Sequence, residues 1–393
     1  MESRRLPGTA ISLLRKNCEA GADRLGKFCI APACFQPGST RTPPKDLLVG
    51  AFSGNLLPTT VQHDGVLMDR FCNRGNLWSI VLAGGEGERL RPLLQQWLGH
   101  HRPKQYCTFV GTRSMLQHTL DRLAPLSGPE NRITVVMRSH LAEASTQLVE
   151  SQAGTVIGQP ANRDTAPGIF LGLAHVLARD PQALVAIFPS DHFIYPEQRF
   201  LELVQTAVEA TIKFQKLVLV AVTPEQPEIE YGWIVPGKFL GQIDGSAVRS
   251  VDVFVEKPHH EACRAVMAKG GLWNTLILVA QAGILWQLGW RYLPAMMGPL
   301  DAYRDVIGTP GELAALDSIY RMMPAWNFSS SILSPACAET AVIEADDLLW
   351  SDWGKPERIV ETLRALGKKP LFPLPELQPA NQILSGCSAA TGH

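Results

Sequence analysis

Strong net charge, paired cysteines and long apolar runs are all missing from this chain. Over 393 residues, 36 Lys and Arg stand against 37 Asp and Glu, a formal net charge of -1. That balance excludes bulk attraction to nucleic acid or to an anionic membrane, so any phosphate chemistry rests on local placement of Lys and Arg. The cysteines, Cys18, Cys29, Cys34, Cys72, Cys107, Cys263, Cys337 and Cys387, form no CxxC pair. A chain this long does not depend on disulfide staples, and a reducing, cytoplasmic setting is expected. No Cys/His spacing suggests zinc. The longest apolar stretch, Leu276 to Trp290, is broken by Gln281 and Gln287. It falls short of the roughly 20 residues of a spanning helix and reads as a buried strand followed by a helix, so no membrane partner is expected.

What is present is an ordinary globular composition, 46% hydrophobic and 19% charged, unevenly distributed. Residues 1–75 lack periodicity and include a Pro/Gly/Ser/Thr-rich run from Ala31 to Pro44, a composition expected to form a flexible extension. The first 45 residues hold eight basic side chains and three acidic ones. That excess fits a transit peptide, although a plain unstructured leader explains it as well. From Leu77 onward, apolar runs alternate with helical periods: Leu77–Gly85, Arg132–Met137, Ala183–Asp191 and Lys216–Pro224 read as strands. Met115–Leu123, Ala142–Gln152, Ala166–Ala178 and Phe200–Phe214 read as helices. The alternation predicts an α/β fold with a Rossmann-like mixed, mainly parallel sheet flanked by helices, spanning residues 76–367. Residues 368–393, Pro-rich and then Ser/Gly-rich, are expected to form a flexible tail.

The chemistry begins at Ile80–Leu93, IVLAGGEGERLRPL, where a strand runs into Ala83, Gly84, Gly85 and Gly87 and then Arg89 and Arg91. Glycines there let backbone amides surround a phosphate, and the arginines neutralise it. The segment is neither the GxGxxG dinucleotide fingerprint nor a P-loop with its Lys-Ser/Thr ending. Lys104 follows in RPKQY, Asp191 closes a strand in IFPSDHFI, and Glu256 and Lys257 precede a proline in VFVEKP. Each has a plainer reading alone: a surface charge, a turn former, an edge-strand ion pair.

Together, AGGEGERLRP and PKQ resemble the amino-terminal signature of the sugar-1-phosphate nucleotidylyltransferases, and the likeness continues in order to about Leu366. QPANRDTAP, from Gln159 to Pro167, resembles the base-side element of the mannose-1-phosphate guanylyltransferases. The resemblance assigns Gln159, Asn162, Arg163 and Thr165 to the nucleotide along with Ala83, Gly84, Gly85 and Gly87. Arg89, Lys104 and Asp191 become catalytic. Tyr231, Gly232, Glu256, Lys257 and Asn274 would meet the sugar phosphate. Asp352, in the turn WSDWG, would join Asp191 in holding Mg²⁺, a hard cation that prefers oxygen ligands. Two segments depart from the family pattern. Thr275 and Leu276 replace a small pair after Trp273-Asn274, and WNFSSS lacks an expected acidic residue, which bears on sugar specificity.

The resemblance implies attack by a hexose-1-phosphate oxygen, from mannose-1-phosphate, on the α-phosphorus of GTP. A phosphate oxygen is already ionised at neutral pH, so neither a protein nucleophile nor a general base is needed. Two alternatives stay open: a glucose-1-phosphate enzyme using UTP or dTTP, which would not be expected to carry NRDTAP, and a catalytically silent regulatory homologue that binds a sugar nucleotide. No additional carboxyl-terminal β-domain follows, so isomerase activity is not expected. A homo-oligomer is compatible with the sequence.

Overall fold

The computed structural model describes residues 76–373; the expected leader (1–75) and most of the expected tail lie outside the described residues. Eleven strands succeed one another: β1 (Leu77–Ala83), β2 (Arg132–Met137), β3 (Thr155–Gln159), β4 (Leu184–Pro189), β5 (Phe193–Tyr195), β6 (Leu217–Val222), β7 (Gly232–Ile243), β8 (Ser246–Glu256), β9 (Leu272–Gln281), β10 (Thr340–Glu344) and β11 (Leu349–Ser351). Nine of them form one sheet in the order β3-β2-β1-β4-β9-β6-β10-β8-β7. Strands β3, β2, β1 and β4 are parallel neighbours, as are β6 and β10, while β9 runs antiparallel between β4 and β6. The fold is thus the expected mixed, mainly parallel α/β sheet. The long β7–β8 hairpin extends its far edge.

The continuous apolar strands follow from burial on both faces. Along β1, Trp78 and Ile80 enter the core on one side, beneath the helices Thr165–Leu177, Ala282–Tyr292 and Pro294–Arg304. Leu77, Val81 and Ala83 enter the other, beneath Met115–Arg122, Leu141–Glu150 and Glu197–Phe214. The helix Thr165–Leu177 is buried nearly all round because it lies between sheet and outer helices, so it shows no polar face.

A smaller two-stranded ribbon pairs β5 with β11, Phe193 opposite Ser351 and Ile194 opposite Trp350. This register places Asp191, just before β5, and Asp352, just after β11, at the same end of the ribbon.

The fold does not stop at Gly367. Phe372 is 2% exposed and joins a third apolar cluster with Leu90, Leu94, Phe109, Trp353, Ile359 and Leu363. The Leu371 amide also donates to the Phe109 carbonyl at 2.8 Å. The proline-rich composition of the tail hid one aromatic anchor, so the expected boundary at 367 moves outward.

Candidate active site

The glycine loop leaves β1 at its carboxyl end, where ligands of open α/β sheets collect. Two side chains from the Lys104–Tyr106 turn secure it. Gln105 Nε2 donates to the carbonyls of Ala83 (3.0 Å) and Gly85 (2.7 Å), and the Tyr106 hydroxyl donates to Ala83 at 3.0 Å. At Gly84 a Cβ would stand 2.2 Å from Gln159 Nε2, so any larger residue there displaces the Gln159 amide. Beside the loop opens a cavity of about 490 Å³, lined among others by Gly84, Gly85, Gln159, Asn162, Thr165 and Asp191.

Lys104 is buried and joins Asp191, which lines this cavity, to the Asp352 turn. Its Nζ lies 2.9 Å from Asp191 Oδ2 and donates to the backbone carbonyl of Asp352. The structure therefore brings Arg89, Lys104, Asp191 and Asp352 together from remote parts of the chain. Burial opposes ionisation of Asp191, but Lys104 and His192 outweigh it and keep its carboxyl below the usual range.

The Asp352 carboxylate is saturated. Oδ1 accepts from the Tyr231 hydroxyl (2.8 Å), from Arg358 (2.7 Å) and from the Gly354 amide (3.0 Å), and Oδ2 accepts from Arg89 at 2.9 Å. Arg358 also pairs with Glu228 and Glu230, and Glu230 takes Arg89 at 2.9 Å and Lys355 at 3.1 Å. Burial would raise the pKa of Asp352, yet Lys104, Arg358 and Arg89 together hold it well below the ordinary carboxylate range. Gly354 makes this approach feasible, since a Cβ there would lie 2.6 Å from Arg89 Cζ.

The donor set bears directly on Mg²⁺. Asp191 fits: it is an oxygen ligand with its side chain one-third exposed, and Mg²⁺ commonly takes one or two carboxylates plus substrate phosphates. Asp352 does not fit in this arrangement. Two guanidinium groups stand where a cation would, so in this arrangement the expected second metal carboxylate anchors an arginine cluster, and its Oδ2 would become available to a cation when Arg89 leaves it.

Other expected residues divide in the same way. Arg163 turns its guanidinium to the Tyr320 carbonyl (3.0 and 3.2 Å), while Asn162, Asp164 and Thr165 face the cavity. Gly232 pairs with Glu256 across the β7–β8 hairpin, a Cβ on it would lie 2.7 Å from Glu256 Oε2 and 3.3 Å from Asn274 Cβ, and Asn274 Nδ2 reaches Ser329 Oγ at 3.5 Å. The Tyr231 ring is packed between Trp273 and Trp350 with Arg358 above it, and its hydroxyl is committed to Asp352. It therefore supports the site rather than lining it. Lys257 is exposed at φ 47° and its amide donates to the Tyr231 carbonyl at 3.2 Å. Leu276, from the departing WNTL segment, lines the cavity at φ 58°. With Asp164 (φ 66°), which lines the same cavity, it makes a pair of positive-φ residues there, a pattern of strain held at functional sites. Sequence reasoning missed Gln105, Glu228, Glu230 and Arg358. The acidic pair two residues apart before Tyr231 was the available signal for two of them.

An open α/β sheet with a glycine loop, a buried lysine and an ionised aspartate at one strand-end cavity defines a phosphate-handling nucleotide-transferase architecture. The Nucleotidyl transferase family matches residues 78–298, more than half of the chain, and the chain belongs to that family. It is 32% identical over 214 residues to mannose-1-phosphate guanylyltransferase 2 of Escherichia coli O157:H7, covering 52% of this chain and 43% of that protein. It is 30% identical over 284 residues to the xanthan biosynthesis protein XanB of Xanthomonas campestris pv. campestris (strain B100), covering 70% and 57%. The chain thus spans about half the length of the curated relatives it matches. Its structure resembles that of a mannose-1-phosphate geranyltransferase from Thermus thermophilus, with a TM-score of 0.62 at 26% identity over 73% of this chain and 79% of that one. A mannose-6-phosphate isomerase from Helicobacter pylori shares the fold, with a TM-score of 0.56 at 18% identity, covering 70% and 99%.

Proposed function

We propose that this chain transfers a nucleotidyl group from GTP to mannose-1-phosphate, forming a sugar nucleotide and releasing pyrophosphate. The observation that carries the reading is Lys104, buried below the glycine loop and bridging Asp191 to the Asp352 turn. A sugar-phosphate oxygen attacks the α-phosphorus, the bond to the β-phosphate oxygen breaks, and that pair of electrons leaves on pyrophosphate. The chain contributes position and charge: the Gly84–Gly87 amides and Arg89 hold the triphosphate, and Lys104 stabilises charge at the α-phosphate. Asp191 would hold Mg²⁺, which when bound supplies Lewis-acid polarisation of the phosphates. In the free protein, Arg89 rests on Asp352 and Glu230, so a triphosphate would draw it from those acids.

The choice of GTP and mannose-1-phosphate is supported by the QPANRDTAP segment, whose Gln159, Asn162 and Thr165 line the cavity, and by the names of the relatives. Glu256, Lys257, Gly232 and Asn274 form the sugar-phosphate side of the reading. Among the described residues the thiols of Cys107, Cys263 and Cys337 are free, which suits a cytoplasmic setting. The test is pyrophosphate release with four triphosphates crossed against mannose-, glucose- and N-acetylglucosamine-1-phosphate. The highest kcat/KM is expected for GTP with mannose-1-phosphate. A preference for UTP or dTTP with glucose-1-phosphate overturns the specificity, and tight sugar-nucleotide binding without turnover on any pair overturns the activity.

A further inference from the structure

Above the glycine loop stands a second constellation that the transfer reaction does not use. Glu86 and Glu88 flank Gly87, and His101 approaches them from the segment preceding Lys104. One ligand atom from each lies within 4.8 Å of the others. Both ring nitrogens of His101 are inaccessible to solvent and have no hydrogen-bond partner among the described residues. An unsatisfied buried polar group is destabilising, and an imidazole has two such atoms. A cation at the centre of the three side chains removes that cost on the nitrogen that binds it.

The surroundings resemble a supported metal ligand set rather than a loose acidic cluster. The Glu86 carboxylate is held from behind by His140 Nε2 at 3.3 Å, and His140 is 8% exposed. The Tyr106 ring packs edge-on against His140, and its hydroxyl returns to the glycine loop at Ala83. Such outer contacts orient first ligands. Arg91 meets Glu88 through Oε1 at 2.5 Å. One imidazole with two carboxylates is a borderline donor set that suits Zn²⁺ better than Mg²⁺, which prefers oxygen alone. Tetrahedral Zn²⁺ sets its ligand atoms about 3.3 Å apart. Glu88, an exposed side chain, has the freedom to close that gap.

We propose that Glu86, Glu88 and His101 form a Zn²⁺ site, separate from Asp191, that ties the glycine loop to the segment carrying Lys104. Three protein ligands leave a fourth position for water. Because the loop bears Arg89, bound Zn²⁺ restrains the element that must release Asp352 to receive a triphosphate.

The test is metal binding, which is independent of turnover. The full chain, stripped with a chelator, is titrated with Zn²⁺ against a chromophoric zinc indicator in excess Mg²⁺, as wild type, His101→Gln and Glu88→Gln. Melting curves without Zn²⁺ establish that each variant is folded. One equivalent bound by the wild type, weakened at least about 10-fold in both variants, is the expected result. A wild type that binds no Zn²⁺, or an equivalent whose affinity survives both substitutions, overturns the site. If His101→Gln does not fold, Glu88→Gln, whose side chain is exposed, decides alone. Zinc-edge absorption should show nitrogen and oxygen neighbours, and a sulfur shell overturns the assignment.

Discussion

At Asp352 one carboxylate receives two guanidinium groups, a tyrosine hydroxyl and a backbone amide. Removing its charge leaves Arg358 and Arg89 with Glu230 as their remaining shared counter-ion and takes away the more buried of the two carboxylates, where breaking an ion pair is costly. Asp352→Asn is therefore expected to lose about 3 kcal/mol of stability and to lose activity with it. Asp191 is one-third exposed and pairs chiefly with Lys104. Asp191→Asn leaves the buried Lys104 with the nearby Asp352 as its remaining acid, so it should cost less stability than Asp352→Asn, about 1 kcal/mol, and lower turnover roughly 10²-fold or more. Chemical denaturation and a Mg²⁺ titration of turnover on both variants separate the two roles, and equal destabilisation of both would contradict them. Leu276 makes a second expectation at this scale. At φ 58° a side chain is strained and glycine is not. Leu276→Gly should be more stable than Leu276→Ala by about 1 kcal/mol, the reverse of the ordinary order, and a more stable alanine variant would show that the strain is not felt.

Among elements, the β5–β11 ribbon and the helix Pro356–Ala365 hold the catalytic end together. The ribbon aligns the two aspartates, and the helix supplies Arg358 from its first turn. Under that helix lies the apolar cluster closed by Phe372, with Trp97 and Phe109 against its ring at 5.8 and 6.2 Å. Phe372→Ala opens a cavity there and is expected to cost about 3 kcal/mol in denaturant melts. Because Trp353 shares the cluster and follows Asp352 directly, turnover should fall as well. A variant as stable as wild type would return residues 368–373 to the status of a tail.

At the scale of the whole molecule, a buried polar group among the described residues that limits acid stability is His175. It lies 3% exposed under the outer helices, with Nε2 2.9 Å from the Tyr303 hydroxyl and 3.6 Å from Glu312. Burial pulls its pKa down from 6.5 to about 4. The unfolded chain thus takes up this proton first as pH falls, so the contribution of His175 is complete above pH 6.5 and disappears on the way to pH 4. The full loss is about 3 kcal/mol. In His175→Gln, the fall in unfolding free energy between pH 7 and 4.5 should be smaller than in wild type by about 2 kcal/mol. An unchanged fall would place the acid sensitivity elsewhere.

The α/β class and most of its strands were legible because a strand buried on both faces must be apolar throughout, as Leu184–Pro189 and Leu217–Val222 are. The glycine loop, Lys104 and Asp191 stood out in the sequence as short motifs, and the fold brings them to one strand-end cavity. Composition did not reveal that Phe372 packs, or that the apolar run at Leu276 becomes an antiparallel strand between two parallel ones. Nor does a motif fix where a charge points. Arg163 and Asp352 carry the residue types expected of them, yet the Tyr320 carbonyl takes one and Arg89 and Arg358 take the other. Strand burial and backbone approach are local demands that leave a mark on neighbouring residues. The partner of a buried charge is chosen among side chains that lie far apart in sequence, and only the folded chain brings those together.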